Sequence, residues 1–288
     1  MTVAIVTDST AYLPAELVDA AAAPITVVPL HVVIGGREHR EGVDVSVSDL
    51  STALRAFVPV TTSRPSPAEL LDAYTAVADA GATHVVSVHL SSEMSGTVQS
   101  AHLAAQHSPV PVEVVDSRSL GMAMGFAVLS AAQASADGRP AGEVAAVARQ
   151  RAGAAEVAFY VDTLEHLRRG GRIGAASALL GSALAIKPIL TLVDGSIRPL
   201  ERVRTSSRAL ARLADLTVAA AARMQAAGAV VDIAVQHLDS ADRARTLAGT
   251  LSERVPGVGR LVVSELGAVV GAHVGPGTLA VVASPRPL

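Results

Sequence analysis

Short runs rich in β-branched residues recur along the chain with alanine-rich stretches between them, and this alternation restricts the fold more than any other feature. Residues 3–7, 85–90, 112–116 and 157–161 are too short for helices and too apolar for strands with one wet face. Strands of that kind belong to a parallel sheet covered by helices on both faces. Around them, residues 14–22 read as helix, and residues 25–34 and 37–40 read as strands around Gly35-Gly36. Further on, residues 186–193 and 196–203 flank Asp194-Gly195 as a hairpin, and helices over 206–227 and 241–254 bracket a strand over 230–236. Strands over 260–264 and 279–283 complete the pattern. The expected fold is α/β: two α/β lobes with largely parallel sheets, residues 1–155 and 156–288, the last segment packing back on the first lobe. A ligand would lie between the lobes, at the carboxyl ends of strands.

Composition removes several classes of function. A formal charge of −3, with no basic stripe and few aromatic residues, argues against a nucleic-acid partner. Half the residues are hydrophobic, yet polar residues or a Gly-Pro-Gly turn interrupt every long apolar stretch, so no integral membrane segment is expected. The first residues read directly as a strand, with no visible signal peptide, and the expected location is cytoplasmic. The absence of cysteine excludes disulfides, thiolate metal sites and cysteine nucleophiles. Lys187 is the only lysine and asparagine is absent, a codon-usage bias rather than a functional signal. With one lysine, preceded by Ile186, no Walker-type phosphate loop exists, and no dinucleotide fingerprint or metalloprotease motif occurs. The nine histidines show no ligand-like spacing, so neither metal nor cofactor is expected.

Three hydroxyl- or glycine-rich turns stand out. Ser91-Ser92-Glu93-Met94-Ser95-Gly96-Thr97 follows the run at 85–90 and opens a helix, where unpaired N–H groups favour an anion. Two roles are open to Ser95: capping that helix, or seating a carboxylate or phosphate. Thr61-Thr62-Ser63-Arg64-Pro65-Ser66-Pro67 precedes a helical stretch over 68–80; Ser66 is its cap, which leaves Thr62 and Ser63 for another purpose. Gly271-Ala272-His273-Val274-Gly275-Pro276-Gly277-Thr278 sets a histidine, structural or functional, beside a turn that admits close backbone approach.

Together these turns resemble the TS-x-PSP, SS-x-x-SGT-x-x-SA and H-x-GPG motifs of the DegV family of bacterial lipid-binding proteins. The likeness continues through Val3-Ala4-Ile5-Val6-Thr7-Asp8-Ser9, Val115-Asp116-Ser117, Leu164-Glu165-His166-Leu167-Arg168-Arg169-Gly170-Gly171-Arg172-Ile173, Ile186-Lys187-Pro188 and Arg202-Val203-Arg204-Thr205. Arg64 departs from the glutamine common in the family and adds a charge near the expected pocket mouth.

The resemblance implies a DegV-like fold with a lipid site between the lobes. The ligand would be a long-chain fatty acid such as palmitate, its carboxylate held by Thr62, Ser63, Ser95 and Gly96 with His273 close by. The chain would be a non-catalytic carrier for phospholipid synthesis, presenting the acid to a separate fatty acid kinase that forms an acyl phosphate. Arg172 and Arg204 are either solvated surface charges or the groups that meet this partner and steady the phosphate. The helical stretch over 175–184 is either packing or an apolar wall of the site. A competing reading makes Ser95 the nucleophile of a hydrolase or acyltransferase with His273 and Asp8 or Asp116, although no G-x-S-x-G elbow is present. A regulatory lipid-binding module without a kinase is a third.

Overall fold

The computed structural model describes residues 2–179 and 187–287. The first half runs β1 (Val3–Asp8), α1 (Ala15–Asp19), β2 (Ile25–Val28), β3 (His31–Ile34), β4 (Arg37–Arg40), α2 (Val47–Arg55), β5 (Val60–Ser63), α3 (Pro67–Asp79), β6 (His84–His89), α4 (Thr97–Ala105), β7 (Val112–Asp116), α5 (Gly121–Ala136) and α6 (Ala141–Ala154). Strands β2-β1-β6-β7 form a four-stranded parallel sheet. Both its faces are covered and its central strands β1 and β6 are buried on both sides: Ile5, Val86 and Val115 pack with Met124 and Val144, while Val6 and Val85 pack with Leu70, Tyr74 and Ala101. Double-sided burial is the reason these runs read as continuously apolar.

The stretch 25–34, expected as one strand, divides. Pro29, which has no N–H for a ladder, and Leu30 separate β2 from β3. Strand β2 joins the parallel sheet, whereas β3 pairs with β4 and β5 in a separate three-stranded antiparallel sheet. That small sheet places Thr62 opposite Val32 and Ser63 opposite His31.

The second half runs β8 (Glu156–Tyr160), α7 (Glu165–Arg169), a 3-10 turn (Gly174–Leu179), β9 (Lys187–Val193), β10 (Ser196–Val203), α8 (Ser206–Ala226), β11 (Val231–His237), α9 (Ala241–Arg254), β12 (Arg260–Glu265), α10 (Ala268–Val274) and β13 (Leu279–Pro285). Its sheet has six strands in the order β10-β9-β8-β13-β11-β12. The parallel expectation does not extend to it: only β11 and β12 run parallel, and the other neighbours are antiparallel. Asp194 and Gly195, with φ of 51° and 80°, fold β9 onto β10 through a tight hairpin, and β13 enters between β8 and β11 against both. Helix α9 supplies the crossover that parallel neighbours require, between β11 and β12. The expected apolar stretch over 175–184 is described only as far as Leu179, where Ala176 and Leu179 are buried with Leu167 and Ile197; residues 180–184 lie outside the described residues.

Period-2 alternation separates the two faces of this sheet. Ala158, Tyr160, Ile189, Leu279 and Val281 pack beneath α8 and α9, while Val157, Phe159, Leu192, Ala280 and Val282 point the other way, towards the first half. A buried charge cluster ties the halves together. Arg151 of α6, 5% exposed, donates to Asp232 of β11, to Ser284 Oγ at 3.1 Å and to Ser130 Oγ at 2.6 Å. Its guanidinium also lies 5.1 Å from the Phe126 ring centroid, and Arg286 donates to the same Asp232 at 2.8 and 3.0 Å.

Asp232→Ala strands the Arg151 charge in this interior, and we expect a loss of about 3–5 kcal/mol of unfolding free energy in urea titrations. Arg286→Ala leaves the Arg151–Asp232 pair intact and lowers stability by about 1 kcal/mol or less. Equal, small losses in both variants would show that the cluster does not hold the halves together.

Candidate ligand-binding site

Between the small sheet, the loops at the carboxyl ends of the parallel sheet and the inner face of the second sheet lies a cavity of about 110 Å³. Leu30, Leu90 and Leu120 line it from the first half, Val157, Phe159, Leu192 and Ile197 from the second sheet, and Val269, Val270 and Val274 from α10. Polar side chains are few: Thr62, Ser63, Arg64, Ser95, Arg172, Gln236 and His273. An apolar chamber with a small set of placed polar groups is the usual build of a small-molecule site.

The hydroxyl turns arrive as the sequence pattern requires. Ser66 caps α3 through a capping box with Glu69, with Pro67 as the first helical residue, so Thr62 and Ser63 are indeed left over. Ser95 does not cap α4. Gly96 is the N-cap and makes no side-chain cap bond, and the Ser95 hydroxyl pairs with Thr97 Oγ1 at 2.9 Å on the cavity wall. The Arg64 guanidinium lies over Gly96; a Cβ there would stand 2.0 Å from its Nη1.

His273 sits in the last turn of α10, and its Nε2 is 2.9 Å from Thr62 Oγ1. Its Nδ1 is wholly buried, has no hydrogen-bond partner among the described residues and faces Gly170, where a Cβ would lie 2.0 Å away. Burial, and secondarily the Arg172 charge, push the ring's pKa down to about 4, so it is neutral at pH 7. A neutral ring carries one N–H. Placing it on Nε2 lets the ring donate to Thr62 Oγ1, which leaves the Thr62 proton for another acceptor. Arg172 closes this end: its Nε donates to the Met94 carbonyl at 3.1 Å and its Nη1 to the Gly170 carbonyl at 2.7 Å. One continuous chain of contacts thus links Thr62, His273, Gly170, Arg172 and the Met94–Ser95 turn.

Arg204 is exposed and is not among the residues lining the cavity. The hydrolase constellation is not assembled: His273 bonds Thr62, Ser95 bonds Thr97, and Asp116 receives Ser92 N–H, Ser92 Oγ and Arg118 N–H. Asp8 belongs to a different chain of contacts. Its Oδ2 lies 3.0 Å from His89 Nδ1, and His89 Nε2 lies 2.7 Å from Ser87 Oγ, to which Tyr74 donates at 2.9 Å. This has the order of a catalytic triad, but all four side chains are fully buried, so Ser87 meets no substrate. Desolvation accordingly raises the Tyr74 pKa to about 12. Among the described residues, no group of acidic or histidine side chains is arranged to hold a metal ion, and no helix is long and apolar enough to cross a membrane.

Sequence reasoning missed Gln236 and the hairpin wall. Gln236, 2% exposed, accepts the Met122 N–H at 2.8 Å and donates to Ser264 Oγ at 3.1 Å, while a Cβ on Gly121 would meet its Oε1 at 2.4 Å. The only sequence signal for Gln236 was a polar residue in a strand that carries just two others, Asp232 and His237. Leu192 and Ile197 were readable as one face of the hairpin, but nothing local says what that face covers.

Residues 2–286 match the family described as uncharacterised proteins of the DegV family. A DegV domain-containing protein of Streptomyces coelicolor is 53% identical over 284 residues, 99% of both chains. Among solved structures, a DegV family protein from Thermus thermophilus described for its fatty-acid binding shares 35% identity, covers 99% of this chain and 100% of its own, and superposes with a TM-score of 0.90. DegV of Bacillus subtilis, described as a fatty acid binding protein, shares 32% identity with the same coverage and a TM-score of 0.88. The chain belongs to the DegV family.

Proposed function

We propose that this chain is a fatty-acid carrier that buries an acyl chain in the cavity and holds its carboxylate at the Thr62–His273 end. The observation that carries the proposal is the polarity of the chamber: walls that are apolar but for Gln236, with hydroxyls and a neutral imidazole gathered where Arg172 and Arg64 stand. The two similar proteins from Thermus thermophilus and Bacillus subtilis, both described by fatty-acid binding, support it. Thr62 donates its freed proton to the carboxylate, Ser95 and Ser63 supply further hydroxyls, and the N–H groups at Gly96 and the first turn of α4 complete the seat. His273 acts through Thr62. Burying a roughly 16-carbon tail at ~0.8 kcal/mol per methylene offers about 12 kcal/mol before the cost of immobilising it. The tail therefore sets affinity, and the polar end sets orientation. Without donors, an anion in such a chamber would be expelled or protonated.

On this reading no residue of the chain is catalytic and no cofactor is needed. A separate fatty acid kinase phosphorylates the presented carboxylate, and Arg172, at the cavity wall, is placed to steady the phosphate. Arg204, away from the cavity, is a contact for the partner's surface.

Organic extracts of the purified protein should yield a long-chain fatty acid by mass spectrometry, in about one-to-one ratio. A protein that stays empty and takes up no added acid would refute the carrier reading. Thr62→Ala and Ser95→Ala each remove a donor to a charged acceptor and should weaken binding of a fluorescent fatty acid by about 1.5–3 kcal/mol, with little change in folding. Gly170→Ala, at an ordinary helical φ of −73°, should also weaken binding about tenfold, because the new methyl displaces the His273 ring from Thr62. Parent-like affinity in that variant would mean the ring does not position Thr62. Arg172→Glu and Arg204→Glu should slow acyl-phosphate formation by the cognate kinase more than they weaken binding. Unchanged phosphorylation in both would remove these arginines from the partner contact.

A further inference from the structure

Glu41 lies outside the cavity, just past β4, and is only 5% exposed. Its Oε2 accepts from Ser9 Oγ at 2.5 Å, and its Oε1 accepts from the Tyr12 hydroxyl at 3.1 Å and the Val269 N–H at 2.7 Å. The Tyr12 oxygen in turn accepts the Val270 N–H at 3.1 Å, and Ser9 Oγ accepts the Leu30 N–H at 3.0 Å. Val269 and Val270 stand in the first turn of α10, whose N–H groups have no partner within the helix. Three loops of the first half, after β1, before β3 and after β4, thus close on one end of a seven-residue helix from the second half. Gly267, its N-cap, permits the closure: a Cβ there would lie 2.3 Å from Glu41 Oε1 and 2.6 Å from the Tyr12 ring.

The same helix carries Val269, Val270, His273 and Val274 into the cavity wall and lays His273 against Thr62. An open cleft of about 680 Å³, lined by Tyr12, Glu41, Val43, Val263 and Gly267, adjoins its other end. Helix α10 is therefore a short wall between two spaces. A seven-residue segment has little stability of its own, so its place is set by what grips it. Burial pushes the Glu41 pKa upward and the Tyr12 pKa well up, so the grip has a desolvation cost that its hydrogen bonds must offset.

We propose that Glu41 is a positioning residue for ligand binding: with Ser9 and Tyr12 it seats α10, and through α10 it holds His273 against Thr62. What is bound rests on the carrier reading; the link from Glu41 to His273 rests on the geometry alone.

Three variants test it with two readouts. The first is the titration of the His273 ring, followed by NMR in the ligand-free protein. The second is the dissociation rate of a fluorescent fatty acid. Glu41→Ala removes the acceptor for Val269 and should move the His273 midpoint upward from about 4 towards the ordinary 6.5. It should also speed dissociation about tenfold or more. Tyr12→Phe should shift both readouts in the same direction by less, and Glu41→Gln, which keeps a carbonyl oxygen for Val269, should stay near the parent. A residue that only stabilised the fold would lower the unfolding midpoint and move neither readout. Folded Glu41→Ala with the parent's His273 titration and dissociation rate overturns the proposal; should that variant fail to fold, parent-like values of both readouts in Tyr12→Phe overturn it equally. A parent that binds no fatty acid, while His273 still shifts in the variants, keeps the clasp and sinks the carrier reading instead.

Discussion

The hydrogen bond between Thr62 and His273 joins residues 211 positions apart, and the organisation of the cavity follows from it. One partner is the penultimate residue of an edge strand of a small sheet in the first half; the other is the penultimate residue of a short helix of the second. A hydroxyl bonded to an imidazole keeps its proton for an anion when the ring is the donor, and a buried neutral imidazole with its proton on Nε2 does this without adding charge. Burial, and secondarily the Arg172 cation beside it, disfavour a second proton on the ring, and the missing side chain at Gly170 leaves the ring its place.

Around that contact, the two halves use their sheets differently. The parallel sheet is covered on both faces and delivers loops, Ser9–Ala11 after β1 and Ser91–Gly96 after β6, to one edge. The mainly antiparallel sheet commits one face to its own helices and the other to the cavity, so strict alternation divides core from ligand wall residue by residue. Its hairpin turn also returns to the first half, where Ser91 Oγ donates to the Gly195 carbonyl at 2.8 Å and Arg118 to the Asp194 carbonyl at 2.9 Å. The Arg151–Asp232–Arg286 cluster and the grip on α10 bind the halves at other points. The cavity is thus a space between two halves joined both by these polar contacts and by apolar packing, as of Met122 and Phe126 against Ala234, Val262 and Val282.

Much of this was legible in the chain. The apolar runs marked strands of the parallel sheet, because strands covered on both faces are apolar at most positions, with buried polar exceptions such as Ser87 and His89 that bond one another. Ser66 and Glu69 announced the start of α3, and Asp194-Gly195 the hairpin of β9 and β10, since each is a local solution to a local backbone requirement. The three turns that resemble the DegV motifs contributed Thr62, Ser63, Ser95 and His273 to the cavity wall. Local reasoning failed where the deciding partner was distant. Ser95 reads as a cap or an anion seat, but Gly96 took the cap position. Asp8 reads as a candidate triad member, yet it is committed to His89 inside the first core.

Sequence by itself determined the covered parallel sheet, the capped helices, the tight hairpin and the family, because each depends on side-chain pattern or on backbone rules within a few residues. Tertiary structure alone decided that the second sheet is mainly antiparallel, for a buried strand is apolar whichever way its neighbour runs. It alone put Gly170 against His273 and Gly267 against Glu41, and it alone left Arg204 outside the cavity. These relations join segments far apart in the chain. They are set by how the two halves of the chain pack together, a matter of shape and desolvation that no local pattern records.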